Sequence, residues 1–244
     1  MSDTRQLALI LSRDVVLFPG AEMPFFVGRE ATMRAIKYAK ANHGGDLALF
    51  TQFRAENPGP ITRADIFSIG TLTRITASIE MKDNTMKLML EGISRIRLNE
   101  MSIVDDVTIV TVTPLSDTTR EEANISDMEK KEVLALLAAW KVDLGEDCER
   151  AELQVIRESK NLETIMRAIR SLVASPSINK FGAEPKWFSP ENPPTPRYNE
   201  LTNKAIARRQ AILEEPGIKR QLDLIREALA FDISCRSEEV GICL

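Results

Sequence analysis

The sequence has few of the residues from which most nucleophilic and metal sites are built. Histidine occurs once in 244 residues, as His43, beside two glycines at the end of a predicted helix. A Ser-His or Cys-His nucleophile would depend on that one side chain. The three cysteines, Cys148, Cys235 and Cys243, have neither disulfide-framework nor zinc-site spacing. These shortages predict no catalytic residues, no metal, no cofactor and a reducing, cytoplasmic setting.

Other absences narrow the class of protein. No apolar run approaches the length of a membrane span, and the first residues lack the apolar core of a signal peptide. The phosphate-binding string Gly-x-x-x-x-Gly-Lys-Ser/Thr of ATPases does not occur. A net charge of -4 argues against a protein whose main role is to coat nucleic acid. The sequence therefore predicts a protein that is neither an enzyme nor a membrane protein.

Residues 13–30 show the clearest local pattern. Apolar runs at 15–18 and 23–27 flank Pro19-Gly20, a pair that favours a tight reversal because proline fixes φ and glycine tolerates positive φ. Each run predicts a buried strand. A helix is predicted from residue 31 to residue 41 and ends at the paired glycines.

The rest of the first 115 residues also predicts β structure. Further strands are predicted at residues 6–11, 47–53, 67–81, 86–99 and 107–112. A turn-forming cluster at 82–85 joins two of them into a hairpin. In the second arm of this hairpin, Ile96 and Leu98 alternate with Arg95 and Arg97, which predicts one covered face and one solvated face.

Beyond residue 115 the apolar spacing becomes helical. Stripes with i, i+3, i+4 spacing begin at Val133, Leu162 and Ile218, and Asn161 is a predicted N-cap. Half of the 12 prolines fall within residues 175–198, which predicts an extended crossing because proline lacks an N–H donor. The sequence thus predicts an α+β chain with a β-rich domain at 1–115, a helical domain at 116–230 containing the crossing at 175–198, and a tail at 231–244 without helical periodicity.

Three stretches together resemble the amino-terminal domain of Lon proteases. They are Arg-Asp-Val-Val-Leu-Phe-Pro with Met-Pro-Phe-Phe-Val-Gly-Arg-Glu in 13–30, Ile-Gly-Thr-Leu-Thr-Arg-Ile at 69–75, and Lys-Leu-Met-Leu-Glu-Gly-Ile-Ser-Arg-Ile-Arg-Leu at 87–98. The resemblance covers the β-rich part closely and the helical part loosely, and it does not extend to 177–198 or 231–244. It implies a PUA-like β pseudo-barrel followed by a helical bundle.

The resemblance also implies a function. It implies a non-catalytic module of proteolysis that recognises unfolded or degron-bearing proteins or supports oligomer assembly, either excised from a full protease or standing alone. The implied partners are those proteins, a Lon ATPase/protease and other copies of the chain. Apolar candidates for the contact lie at the Pro-Gly corner and in the proline-rich crossing: Phe18, Met23, Phe25, Phe26, Trp187 and Phe188. The alternative is that the first four belong to the core and the last two anchor their loop.

RNA binding is a second hypothesis, because PUA-like folds elsewhere bind RNA. Arg95 and Arg97 are predicted to share a strand face, with Arg74 beside them across the hairpin. No aromatic residue interleaves with these arginines, so a base-stacking platform is missing. Solvated charge on amphipathic elements is the alternative reading of the same residues.

Overall fold

A computed structural model describes residues 4–54, 61–81, 85–116, 126–142, 151–159, 161–174 and 196–240. The chain divides into two units, of which the first contains Met1–Phe53 and Pro58–Ser116 and the second contains the remainder. The first unit consists of β1 (Arg5–Ser12), β2 (Glu22–Val27), α1 (Glu30–Asn42), β3 (Asp46–Thr51), a 3-10 turn (Arg63–Asp65), β4 (Ile69–Glu80), β5 (Met86–Val104) and β6 (Val107–Pro114). The second consists of α2 (Asp127–Val142), α3 (Ala151–Glu158), α4 (Leu162–Val173), α5 (Pro196–Glu214) and α6 (Ile218–Val240). The α+β class predicted from the sequence is confirmed.

The six strands form one sheet in the order β2-β5-β4-β3-β1-β6. Strand β5 also pairs with β6, so the hydrogen-bonded path through β4, β3, β1 and β6 returns to β5. This closure is possible because β5 is long: its first part pairs with β4 through Arg97, and its last part pairs with β6 from Ile96 onward. The buried apolar cluster contains Leu7, Leu9, Ala48, Phe50, Ile66, Leu72, Ile96, Leu98, Val110 and Val112. Strand β2 pairs with β5 outside the closed path.

Strand β1 is buried on both faces. Leu7 and Leu9 belong to the apolar cluster, whereas Ala8 and Ile10 alternate with them and are also buried. Helix α1 packs against β1 and places Ala35 and Ile36 in the core. A strand covered on both faces reads as a continuous apolar run, which is the pattern in the sequence.

The Pro-Gly pair forms the turn that leads into β2. Gly20 has φ of 77°, and Ala21 N donates to Phe18 O over 3.1 Å, so residues 18–21 form a tight β-turn. The turn rests on Gly92 of β5, because Gly20 N donates to Gly92 O and Gly92 N donates to Ala21 O. The predicted reversal is confirmed.

The apolar run 15–18 is buried but is not a strand, contrary to the sequence-based prediction. One N–H and two carbonyls of this run bond to side-chain hydroxyls in place of a neighbouring strand. Val15 N donates to the Ser12 hydroxyl, the Thr51 hydroxyl donates to Val15 O, and the Thr71 hydroxyl donates to Leu17 O. Buried backbone groups need partners, and three hydroxyls supply them here.

In the second unit, α4 begins at a predicted capping residue, whereas α5 begins within the predicted extended crossing. Asn161 Oδ1 accepts a bond from Thr164 N at the start of α4, as predicted. Helix α5 begins at Pro196, so the extended crossing predicted through residue 198 is wrong at its end. Proline is tolerated in the first turn of a helix because its missing N–H has no intrahelical partner there. The remainder of that crossing lies outside the described residues.

Helix α6 continues to Val240, whereas the sequence predicted no helical periodicity beyond residue 230. Two core positions explain the difference: Asp232 is fully buried and Cys235 is 6% exposed. Asp232 accepts two bonds from Arg209 of α5, which is also fully buried and donates to Val173 O at the end of α4. A carboxylate occupying an apolar position of the stripe hides the helical period in the sequence.

Candidate functional site

Strand β2 has one face turned inward and one turned to solvent. Val27 is buried and Met23 and Phe25 are half-buried, opposite the buried Leu88 and Leu90 of β5. The residues between them, Glu22, Pro24 and Phe26, are exposed. This alternation follows from the two-residue period of a strand.

The outward residues of three neighbouring strands form an apolar surface. Phe26 of β2 stands opposite Lys87 of β5, which stands opposite Ile79 of β4. In the next row, Pro24 stands opposite Met89, which stands opposite Ala77. We call these apolar residues the outer patch: Pro24, Phe26, Ala77, Ile79 and Met89. Phe26 and Ile79 are 71% and 61% exposed.

The charges around the outer patch lie at its centre and its border. The ammonium of Lys87 lies 5.4 Å from the centroid of the Phe26 ring, within the range of a cation–π contact. At one border, the Thr76 hydroxyl donates to a Glu22 carboxylate oxygen over 2.7 Å. Lys87 thus lies between Phe26 and Ile79, and the apolar row of Pro24, Met89 and Ala77 lies beside them.

The contact residues predicted at the Pro-Gly corner differ in their exposure to solvent. Phe18 is 1% exposed, so its side chain belongs to the core and supplies no contact surface. It is held there because the turn over Gly92 closes directly behind it. Met23 and Phe25 face inward and are half-buried, whereas Phe26 faces out. Trp187 and Phe188 lie outside the described residues.

Sequence reasoning missed Ile79 and Met89, because it sought apolar contacts only near prolines. Both residues lie in strands whose positions the sequence does predict. Their outward direction depends on the register of β4 against β5, which shifts between Ile75 and Ala77. An apolar residue among the polar side chains of an outward strand face is the signal that could have found Ile79.

The three arginines of the RNA-binding hypothesis do not form one basic face. Arg95 is 5% exposed, because the chain after β6 covers it: Leu115 N donates to Arg95 O, and the guanidinium donates to Ser116 O. The solvated face predicted for Arg95 is therefore wrong, although Arg97 is exposed. Arg74 donates to Asp46 over 2.8 Å, and this bond raises the pKa of the Arg74 guanidinium.

The described ranges contain no group of three or more His, Cys, Asp or Glu side chains that could hold a metal ion. Among the helices that the structure describes, none is both long enough and apolar enough to cross a membrane.

Comparison with known proteins gives the family. Residues 6–230 match the model of the ATP-dependent protease La (LON) substrate-binding domain. The Lon protease of Solibacter usitatus is 38% identical over 107 residues, which are 43% of this chain and 12% of that protein. The Lon protease of Escherichia coli (strain K12) is 32% identical over 101 residues, which are 41% of this chain and 13% of that protein. The chain therefore spans only a small part of the length of these curated relatives.

A solved structure agrees on the fold. The N-terminal domain of Mycobacterium avium complex Lon protease superposes with a TM-score of 0.55 at 14% identity, covering 93% of this chain and 98% of that one. Identity at this level supports the fold alone. Because the family model matches residues 6–230, the chain belongs to the family of LON substrate-binding domains.

Proposed function

We propose that the first unit binds unfolded or degron-bearing protein segments through the outer patch, as the substrate-contacting module of a Lon-type protease. The observation that carries this proposal is the set of apolar side chains on the outward faces of β2, β5 and β4, in which Phe26 and Ile79 are largely exposed. An exposed apolar patch is typical of protein–protein contact. Membership of the LON substrate-binding family supports the same function.

The size of the outer patch predicts weak binding by one copy. Burying Phe26 and Ile79 contributes roughly 1.5–3 kcal/mol each. Together they contribute about 3–6 kcal/mol, and association alone costs an estimated 4–15 kcal/mol, which equals or exceeds that gain. Several copies in one assembly would raise the effective concentration of binding surfaces. We therefore propose that oligomer assembly and substrate capture act together, and that each copy releases most chains that it samples.

We extend the proposal to architecture and partners. The closed path through β4, β3, β1, β6 and β5 supports a PUA-like pseudo-barrel for residues 1–115. The packing of α6 against α2, α4 and α5 supports a helical bundle for residues 116–230. The ATPase and protease that would use the bound substrate are supplied by a Lon protein, whether continuous with this chain or separate from it.

The test compares matched substitutions in the full chain. Phe26→Ser and Ile79→Ser remove exposed apolar side chains from the outer patch, whereas Ile103→Ser removes one that is 76% exposed elsewhere, near the turn between β5 and β6. Binding is measured by fluorescence anisotropy with a reduced and alkylated, permanently unfolded protein. We expect each patch variant to weaken binding by about tenfold, as the loss of one buried apolar side chain predicts.

The control variant decides the interpretation. Ile103→Ser should leave the affinity unchanged, because Ile103 lies outside the outer patch. Equal losses of affinity in all three variants would mean that any exposed apolar side chain binds the unfolded protein and that the outer patch is not a specific site. Unchanged binding in both patch variants would overturn the proposal. Circular dichroism of each variant confirms that the fold is retained.

A further inference from the structure

We propose that the outer edge of β2 receives an extended peptide as an additional strand. The peptide that fits has apolar side chains at alternate positions and a carboxylate near Lys87. This inference rests on the proposed function of the outer patch and gives its ligand a conformation and a chemistry. Main-chain hydrogen bonds would hold the peptide, while Phe26 and Lys87 would contact its side chains.

The direction of the β2 backbone groups follows from its pairing with β5. Gly92 N donates to Ala21 O, so Ala21 belongs to the residues that bond to β5. Bonded and non-bonded pairs alternate along an antiparallel ladder. Glu22, Pro24 and Phe26 have the opposite parity and therefore direct their backbone groups away from β5.

The outer edge of β2 therefore presents a row of open backbone groups. Among the described strands, β2 is at the end of the sheet order and has no neighbour on that side. The row consists of two N–H donors, from Glu22 and Phe26, and three C=O acceptors, from these residues and Pro24. Pro24 lacks a donor, which is the position in which an edge strand tolerates proline.

An extended peptide fits this row better than a second copy of the chain does. A peptide with an N–H at every position can donate to all three carbonyls. Two antiparallel β2 strands at greatest overlap would instead place Pro24 opposite Pro24, leaving each of those carbonyls without a donor. The charge of Glu22 and the missing N–H of Pro24 are also features that discourage permanent pairing between edges.

Lys87 gives the edge a charge preference. Its ammonium lies over the Phe26 ring, on the side of β5 that faces β2, and no carboxylate among the described residues lies within salt-bridge distance of it. A peptide side chain beside Phe26 would lie close to this cation. A carboxylate there gains a partially exposed ion pair, which is expected to change the affinity by about two- to fivefold.

The test uses the full chain and a labelled peptide, Thr-Val-Thr-Glu-Thr-Phe-Thr, whose Val, Glu and Phe side chains lie on one face of an extended strand. One version is N-methylated at its second and fourth residues and a matched version at its third and fifth, so that both have the same number of methyl groups. In an added strand, only alternate N–H groups face β2. We expect one version to lose affinity by about tenfold or more while the other stays within about threefold of the parent peptide.

The outcomes separate this inference from the proposed function. Loss of binding in Phe26→Ser with equal effects of the two methylation patterns overturns strand addition and leaves the outer patch as the binding surface. Unchanged binding in Phe26→Ser overturns both. Sedimentation that shows a dimer, lost on Phe26→Ser, would assign the edge to a second copy and overturn the peptide as its occupant.

Charge reversal provides an independent readout. The parent peptide should bind more tightly than its counterpart with lysine in place of glutamate. Lys87→Glu should reverse that preference without removing the response to N-methylation. A preference that stays the same in Lys87→Glu would contradict the role of Lys87.

Discussion

Replacing Gly92 with alanine should destabilise the first unit, because the turn that starts β2 lies directly on this residue. A Cβ at Gly92 would lie 2.2 Å from Phe18 O, 2.9 Å from Phe18 C and 3.3 Å from Pro19 Cα. These are backbone atoms of a closed turn, so they cannot rotate away as a side chain would. The turn must lift, which strains the two bonds that Gly92 makes to Gly20 and Ala21.

The expected loss of stability follows from these two effects. Overpacking of a closed site costs about 1–3 kcal/mol, and each weakened backbone bond about 0.5–1.5 kcal/mol. We therefore expect Gly92→Ala to lower the free energy of unfolding of the first unit by about 2–6 kcal/mol. Gly28→Ala is the matched control, because its nearest neighbour, Thr85 Cγ2, lies at an ordinary 3.6 Å.

Urea unfolding followed by NMR signals of the first unit measures both variants. Gly28→Ala should change the free energy of unfolding by less than about 1 kcal/mol in either direction. A Gly92→Ala variant as stable as Gly28→Ala would refute the reasoning, since it would mean that the turn does not rest on β5 as described.

Two further predictions concern the second unit. Asp232→Ala should lower the free energy of unfolding of this unit by about 3–5 kcal/mol in urea titrations, because Arg209 would be left buried without its counter-charge. A change below about 1 kcal/mol would contradict the burial of the pair. Bonds from the Ser126 hydroxyl and N–H lower the pKa of Glu129. The stability that these bonds contribute is therefore present above the ordinary carboxyl pKa and is lost as the pH falls through the lowered one. In an NMR titration, Ser126→Ala should raise the pKa of Glu129, and an unchanged value would contradict the cap.

Local signals in the sequence predicted the positions of turns, caps and strands better than they predicted which elements pack or pair with one another. The Pro19-Gly20 turn, the cap at Asn161 and the strands of the β-rich part could be predicted because each depends on residues close in sequence. The closure of β5 onto both β4 and β6 could not, because strand order depends on contacts between distant parts of the chain. The buried run 15–18 shows the same limit, since hydroxyls from Thr51 and Thr71 take the place of a neighbouring strand.

Polar residues in the core caused the other differences. Arg95 alternates with apolar residues along β5, which predicts a solvated side chain, but the chain after β6 covers it. Asp232 interrupts an apolar stripe, but Arg209 of another helix neutralises it in the core. In both cases the hydrogen-bonding partner is remote in sequence, so the sequence around the polar residue predicts that its side chain is exposed to solvent. Of the predicted contact residues in β2, Phe26 is exposed and Phe25 is half-buried, because the inward and outward faces depend on the register with β5. Phe18 precedes β2 and is buried at the turn that rests on Gly92.

Methyl NMR of the full chain during titration with a permanently unfolded protein tests the central claim most directly. Ile79 and Ile103 are both largely exposed isoleucines on strands of the first unit, but only Ile79 belongs to the outer patch. The account predicts that the signals of Ile79 and Met89 shift or broaden while that of Ile103 stays unchanged. Changes at Ile103 without changes at Ile79, or changes confined to methyl groups of the second unit, would contradict it.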